Sequence, residues 1–106
     1  MSRIDYMKVL DIAALTLEAS SSIELNTLDL KLYNAVLSLN NGNKVEIQMK
    51  IDDFDIELTL PKKIMPVKDF KNWLPKFEFQ LEQIFLKNIT LTHSEAKNDY
   101  KIKILF

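Results

Sequence analysis

His93 is the only histidine in the chain and cysteine is absent, so thiolate chemistry is excluded and a histidine-based metal site would rest on one imidazole and the carboxylates. A metal at His93 would need carboxylates around it, but its neighbours are Thr92 and Ser94. It shares the parity of Ile89 and Leu91 and reads as a histidine at the open end of a strand. Asp52, Asp53, Asp55 and Glu57 form the sole acidic cluster. Two close carboxylates can divide acid and base roles, and hard cations prefer oxygen ligands. Asp53, Asp55 and Glu57, however, fall on the polar side of one strand, about 7 Å apart at a rise of roughly 3.3 Å per residue. No glycine is near enough to make the sharp turn of a calcium loop. Gly42 is the single glycine, so neither a P-loop nor a dinucleotide fingerprint can be built. No serine sits in a nucleophile-elbow pattern. The expectation is a protein that is not an enzyme and uses no metal or cofactor.

A second kind of chemistry is recognition. Lys62, Lys63, Lys68, Lys71 and Lys76 surround Phe70, Trp73, Phe77 and Phe79, and single-strand binders combine basic grooves with aromatic platforms such as Trp73 would supply. After residue 27 the expected order strand, strand, strand, helix, strand, strand resembles the five-stranded oligonucleotide-binding barrel. Against this, the aromatics lie on the inward parity of their elements. The chain also has one arginine, the residue preferred for stacking and bidentate contacts. Charge is unevenly placed. Residues 1–60 hold five Lys or Arg against ten Asp or Glu, and residues 61–106 hold nine against five. Opposite faces of opposite sign can steer a partner, although two stretches of ordinary solvated surface would look the same.

The elements follow from periodicity. Val45, Ile47, Met49 and Ile51 alternate with polar residues, and after Asp52-Asp53 the parity flips to Phe54, Ile56, Leu58 and Leu60. A two-residue turn at Asp52-Asp53 cures the flip, setting Ile51 opposite Phe54, Met49 opposite Ile56 and Lys50 opposite Asp55. Leu39-Asn40-Asn41-Gly42-Asn43 suits a type I turn followed by Gly42 in the left-handed region. That turn pairs Leu37 with Val45, Ala35 with Ile47 and Tyr33 with Met49. Residues 28–39 fit strand and helix alike; the strand reading agrees with this turn and requires a bulge or bend near Tyr33-Asn34. Val67, Phe70 and Leu74 form a short helix ended before Pro75. Phe77, Phe79 and Leu81 then alternate as a strand, while Phe77, Leu81, Ile84 and Phe85 also fit a helical face begun at Pro75. Lys87–Thr92 and Tyr100–Phe106 form a last hairpin, with Ile89 and Leu91 facing Ile102 and Tyr100. A shift of 54 residues lays Ile23–Asn26 over Phe77–Gln80, as a duplicated helix plus three-stranded meander would. Two amphipathic strand units of equal period also align this way by chance.

Tyr6, Leu10, Ala13, Ala14 and Leu17 make one helical stripe at the N-terminus. Ser2 and Asp5 are placed to cap it and Ser20–Ser22 to end it. Ile4, Ile12 and Leu15 project on its other side, as a partner contact would require. The rival is a strand from Ile12 onward with Ala13, Leu15 and Leu17 inward. The terminal strand, with Tyr100, Ile102 and Ile104, ends at the chain terminus. Lys101 and Lys103 guard it as edge strands are guarded, so it reads as a place to accept a partner strand.

At 106 residues the chain suffices for one core, a single α+β domain over 1–106. Its architecture reads as an N-terminal helix, an antiparallel meander, a short central helix and a further antiparallel hairpin. No segment approaches the ~20 apolar residues of a membrane span. Asp5, Asp11 and Glu18 interrupt any signal-like stretch, so a cytoplasmic protein is expected. The functional expectation is a non-catalytic protein–protein interaction module, bound to a partner or to itself: an adaptor, an inhibitor, an immunity-type partner or an assembly subunit. The alternative is a single-stranded nucleic-acid binder.

Overall fold

A computed structural model describes residues 5–29, 31–40 and 42–106, the side chains of 20–29 excepted. Asp5 starts the first helix, α1 (Tyr6–Thr16), its carboxylate accepting from the Lys8 N–H at 3.3 Å. The helix stops where Glu18 turns to a φ of 57°. Ser20–Ser22 then belong to β1 (Ala19–Asp29) and do not terminate the helix. Three further strands follow, β2 (Leu32–Leu39), β3 (Lys44–Ile51) and β4 (Asp55–Pro61). A 3-10 turn at Lys62–Ile64 leads to α2 (Val67–Phe85), and β5 (Thr90–Glu95) and β6 (Asp99–Leu105) close the chain. The strands form one antiparallel sheet in the order β1-β2-β3-β4-β6-β5. The fold is α+β: helix, meander, central helix, hairpin. The sheet is open, with β1 and β5 at its edges, and is not an oligonucleotide-binding barrel.

Both helices cover one side of the sheet, as the alternation of burial shows. Ala35, Leu37, Val45, Ile47, Met49, Ile56, Leu58, Leu60, Tyr100, Ile102 and Ile104 are buried with residues of α1 and α2 in one cluster. Glu46, Gln48, Lys50, Lys101 and Lys103, of opposite parity, are exposed on the bare side.

The β2–β3 register is the expected one, pairing Leu37 with Val45, Ala35 with Ile47 and Tyr33 with Met49. Gly42 has a φ of +87° and donates its N–H to the Leu39 carbonyl at 3.0 Å, a geometry that glycine reaches without steric cost. The parity break near Tyr33-Asn34 coincides with an irregularity in the β1–β2 pairing, where Thr27 faces Tyr33 but Asp29 faces Leu32. The chain turns back between Asp29 and Leu32, with Lys31 at a φ of 63°, and the β2–β3 ladder runs unbroken through Tyr33 and Asn34.

Three registers or elements differ from expectation. In the β3–β4 hairpin the turn is Asp53-Phe54, one residue later, so Ile51 faces Ile56, Met49 faces Leu58 and Lys50 faces Glu57. The Asp52 N–H to Asp55 carbonyl bond at 2.9 Å closes it, and Phe54 is 80% exposed. Face parity survives because the slip is two residues in the pairing sum. In the last hairpin Leu91 faces Ile104 and His93 faces Ile102, because the turn falls at Lys97-Asn98, where Ala96 N–H meets the Asp99 carbonyl at 2.9 Å.

The largest difference is α2, which runs on through Pro75 and absorbs residues 76–85. Phe70, Trp73, Leu74, Phe77 and Leu81 are all buried, a 3.6-residue stripe that a strand could not bury. Pro75 falls on the exposed side of the helix, where the loss of one i→i−4 bond, to the Lys71 carbonyl, costs least. Phe79, inward on the strand reading, is 58% exposed. The proposed duplication fails here too, since it would lay Ile23–Asn26 of β1 over helical residues 77–80.

Candidate interaction surfaces

Of the residues singled out for the N-terminal helix, Ile4 lies outside the described residues. Ile12 is in the core, 5% exposed, and so is not an interface residue. Val9, Leu10, Ile12, Ala13 and Ala14 are all buried because α1 packs against both α2 and β1, which covers a wider arc than one stripe. Leu15 is 68% exposed on the opposite side. On α2, Pro75 and Phe79 lie at i and i+4 on the solvent side, and Leu86, the left-handed residue that caps the helix, is 86% exposed beyond its end. Thr16 of α1, Pro75, Lys76, Phe79 and Gln80 line one shallow depression where the two helices meet.

The expected edge strand is not an edge. β6 lies between β4 and β5, and its Tyr100, Ile102 and Ile104 are buried in the core. Lys101 and Lys103 flank them because the bare side is wet, not because an edge needs guarding. Tyr100 stacks on Phe70 with centroids 4.0 Å apart and donates its hydroxyl to the Met65 carbonyl at 2.8 Å. Burial pushes its phenol up from the ordinary value of 10.0, and the carboxylates of Glu95 and Asp69 add to the shift.

The basic region divides. Lys63, Lys68, Lys71 and Lys76 are exposed, whereas Lys62 is half-buried, 3.5 Å from Glu95 and 5.8 Å from the Tyr100 ring. Lys68, Lys71 and Lys76 fan over about 140° of α2 at about 100° per residue, so they line no single groove. Trp73 is 5% exposed and stacked on Phe77 at 4.7 Å, and no base can stack on it as it stands.

The chemistry-bearing residues stay apart. His93 is on the helix side of β5, its ring edge-on to Phe70 at 5.7 Å. Asp53 reaches Lys31 at 3.5 Å across exposed surface, a pair worth little. Among the described residues no three His, Asp or Glu come together as a metal site. A cleft of about 610 Å³ between the end of α1, the β2–β3 turn and α2 is walled by Thr16, Glu18, Asn40, Asp69, Trp73 and Lys76. It offers no nucleophile with a base beside it. The Trp73 Nε1 has no hydrogen-bond partner, and it is covered from solvent, so a ligand could reach it only if neighbouring side chains moved. No helix among the described residues is long and apolar enough to cross a membrane.

Sequence could have found the outer line on α2 only with α2 already known to be one helix. The free edge at β5 follows from strand order, which no local pattern encodes. No family model, curated protein or solved structure matches this chain.

Proposed function

We propose that this chain is a non-catalytic protein–protein interaction module that docks a partner, or a second copy, on the outer side of its helix layer. The observation that carries this is the exposure of Leu15, Phe79 and Leu86 at 68%, 58% and 86%. Single exposed apolar residues are ordinary, but Pro75 and Phe79 share one side of α2 and line, with Thr16, the depression at the end of α1. The proposal includes a cytoplasmic setting. Nucleic-acid binding, the second reading, keeps exposed lysines between Lys63 and Lys76 but has one exposed ring, Phe79, to stack on, since Phe70, Trp73 and Phe77 are core residues. Light scattering over a concentration series, with and without single-stranded DNA at low salt, separates the two. A concentration-dependent rise in mass that Leu15→Gln/Phe79→Gln lowers, indifferent to DNA, supports the interaction module. A monomer that gains mass only with DNA sinks it.

A further inference from the structure

The two edges of the sheet are finished differently. β1 carries register irregularities between Ala19 and Ile23 and between Thr27 and Asp29, the kind of bulge that blunts an edge. β5 pairs with β6 without interruption from Thr90 to Glu95 and contains neither lysine nor proline. Its hydrogen-bonding phase can be deduced. Ala96 N–H donates to the Asp99 carbonyl at 2.9 Å, so Ala96 and Asp99 are a hydrogen-bonded pair. Antiparallel pairs alternate. Ser94, Thr92 and Thr90 therefore turn their N–H and C=O groups toward Lys101, Lys103 and Leu105 of β6. Leu91, His93 and Glu95 turn theirs outward, to the free side.

We infer that the free edge of β5 accepts an extended segment of a partner protein that carries acidic side chains at alternate positions. This rests on the interaction-module reading but uses a different surface from the helix layer. The outward backbone groups of Leu91, His93 and Glu95 supply the pairing, as in other sheet-edge recognition. The acidic character comes from the bare side. There Thr92 and Ser94 stand opposite Lys103 and Lys101, and both lysines are exposed with no ion pair among the described residues. An added strand places its bare-side residues two strand spacings from β6, roughly 9–10 Å away. The short Thr92 and Ser94 side chains leave the way open for the lysines to lean across. The helix-side residues of the added strand meet Leu91 and His93 and are best apolar. A second copy fits less well, because the bare side of β5 carries Thr90, Thr92 and Ser94 and no carboxylate to meet the lysines.

The test uses a capped hexapeptide of alternating Val and Glu, titrated into the labelled full chain at low salt, with backbone amide NMR shifts as readout. The amides of Leu91, His93 and Glu95 should move more than those of Thr90, Thr92 and Ser94, and a Val/Lys hexapeptide should bind at least about tenfold more weakly. Lys101→Glu/Lys103→Glu should reverse that preference without unfolding the chain, since both side chains are exposed. His93→Pro removes an outward N–H, which edge positions tolerate, and should abolish binding. Equal binding of both peptides overturns the acidic partner. Absence of shifts on β5 with either peptide overturns the edge site. Shifts confined to Phe79 and Leu86 overturn it too while leaving the interaction module standing. Self-association of the free chain that His93→Pro removes would make the occupant a second copy and overturn the inference in that way.

Discussion

β6 carries Tyr100, Ile102 and Ile104 toward the helices and Lys101 and Lys103 toward water, whereas β5 alternates Leu91, His93 and Glu95 with Thr90, Thr92 and Ser94. The strand with the stronger pattern lies inside the sheet, and the weaker one is left at its edge. Interior position explains the pattern. Ile102 stands in a row from Tyr33 through Met49 and Leu58 to His93, covered on both flanks, and only the last member of that row is exposed. Alternating lysines therefore mark a wet side, and say nothing about which strand is last.

That contrast can be broken most directly by truncation. Ile102→Ala should cost about 2–5 kcal/mol in chemical denaturation, as buried large-to-small changes do, and Leu91→Ala about half as much or less. Equal losses would mean that β5 is as deeply packed as β6. Proline substitutions test the backbone phase. Thr92→Pro removes an N–H bonded to β6 and should cost about 2 kcal/mol, while His93→Pro should leave the melting temperature nearly unchanged. If His93→Pro is the more damaging, the deduced outward set is inverted.

At the other end of the sheet a turn and not burial decides. Gly42→Ala should cost about 1–2 kcal/mol from the left-handed backbone alone, because a Cβ there would meet nothing within 4 Å. An unchanged melting temperature would refute the left-handed backbone at Gly42. The smallest loss expected from removing side-chain atoms is at Tyr100. Tyr100→Phe leaves the Met65 carbonyl without its donor and should lower the melting temperature slightly below pH 10. The folded phenol titrates above the unfolded one, so the native state holds the proton longer. Its contribution is present below about pH 10 and is lost as pH rises through the folded value. Melting curves from about pH 9 upward should fall more steeply for the wild type than for Tyr100→Phe; parallel curves would show that Tyr100 is not the group responsible.

Much of the architecture was legible in short stretches. The alternation over residues 45–51, the turn at Gly42 and the Leu37–Val45 register follow from sterics that act within a few residues. Asp53-Phe54 defeated the same reasoning because neither Asp52-Asp53 nor Asp53-Phe54 contains a glycine to pin the turn. The inward faces of β3, β4 and β6 were readable even where register was not, since a two-residue change in pairing keeps Met49, Ile56, Leu58 and Ile102 on their side.

Three features belonged to the tertiary structure alone. α2 continues through Pro75 because Phe77 and Leu81 gain more by burial on the sheet than the helix loses at one solvent-facing carbonyl. Ile12 is buried because α1 packs against both β1 and α2, the latter a neighbour more than fifty residues away in sequence. β5 is an edge because β6 inserts beside β4. Hydrophobic period and turn chemistry are local and can be read from the chain. Burial and edge status depend on which distant segment arrives to cover a surface, and that is settled only when the sheet is assembled.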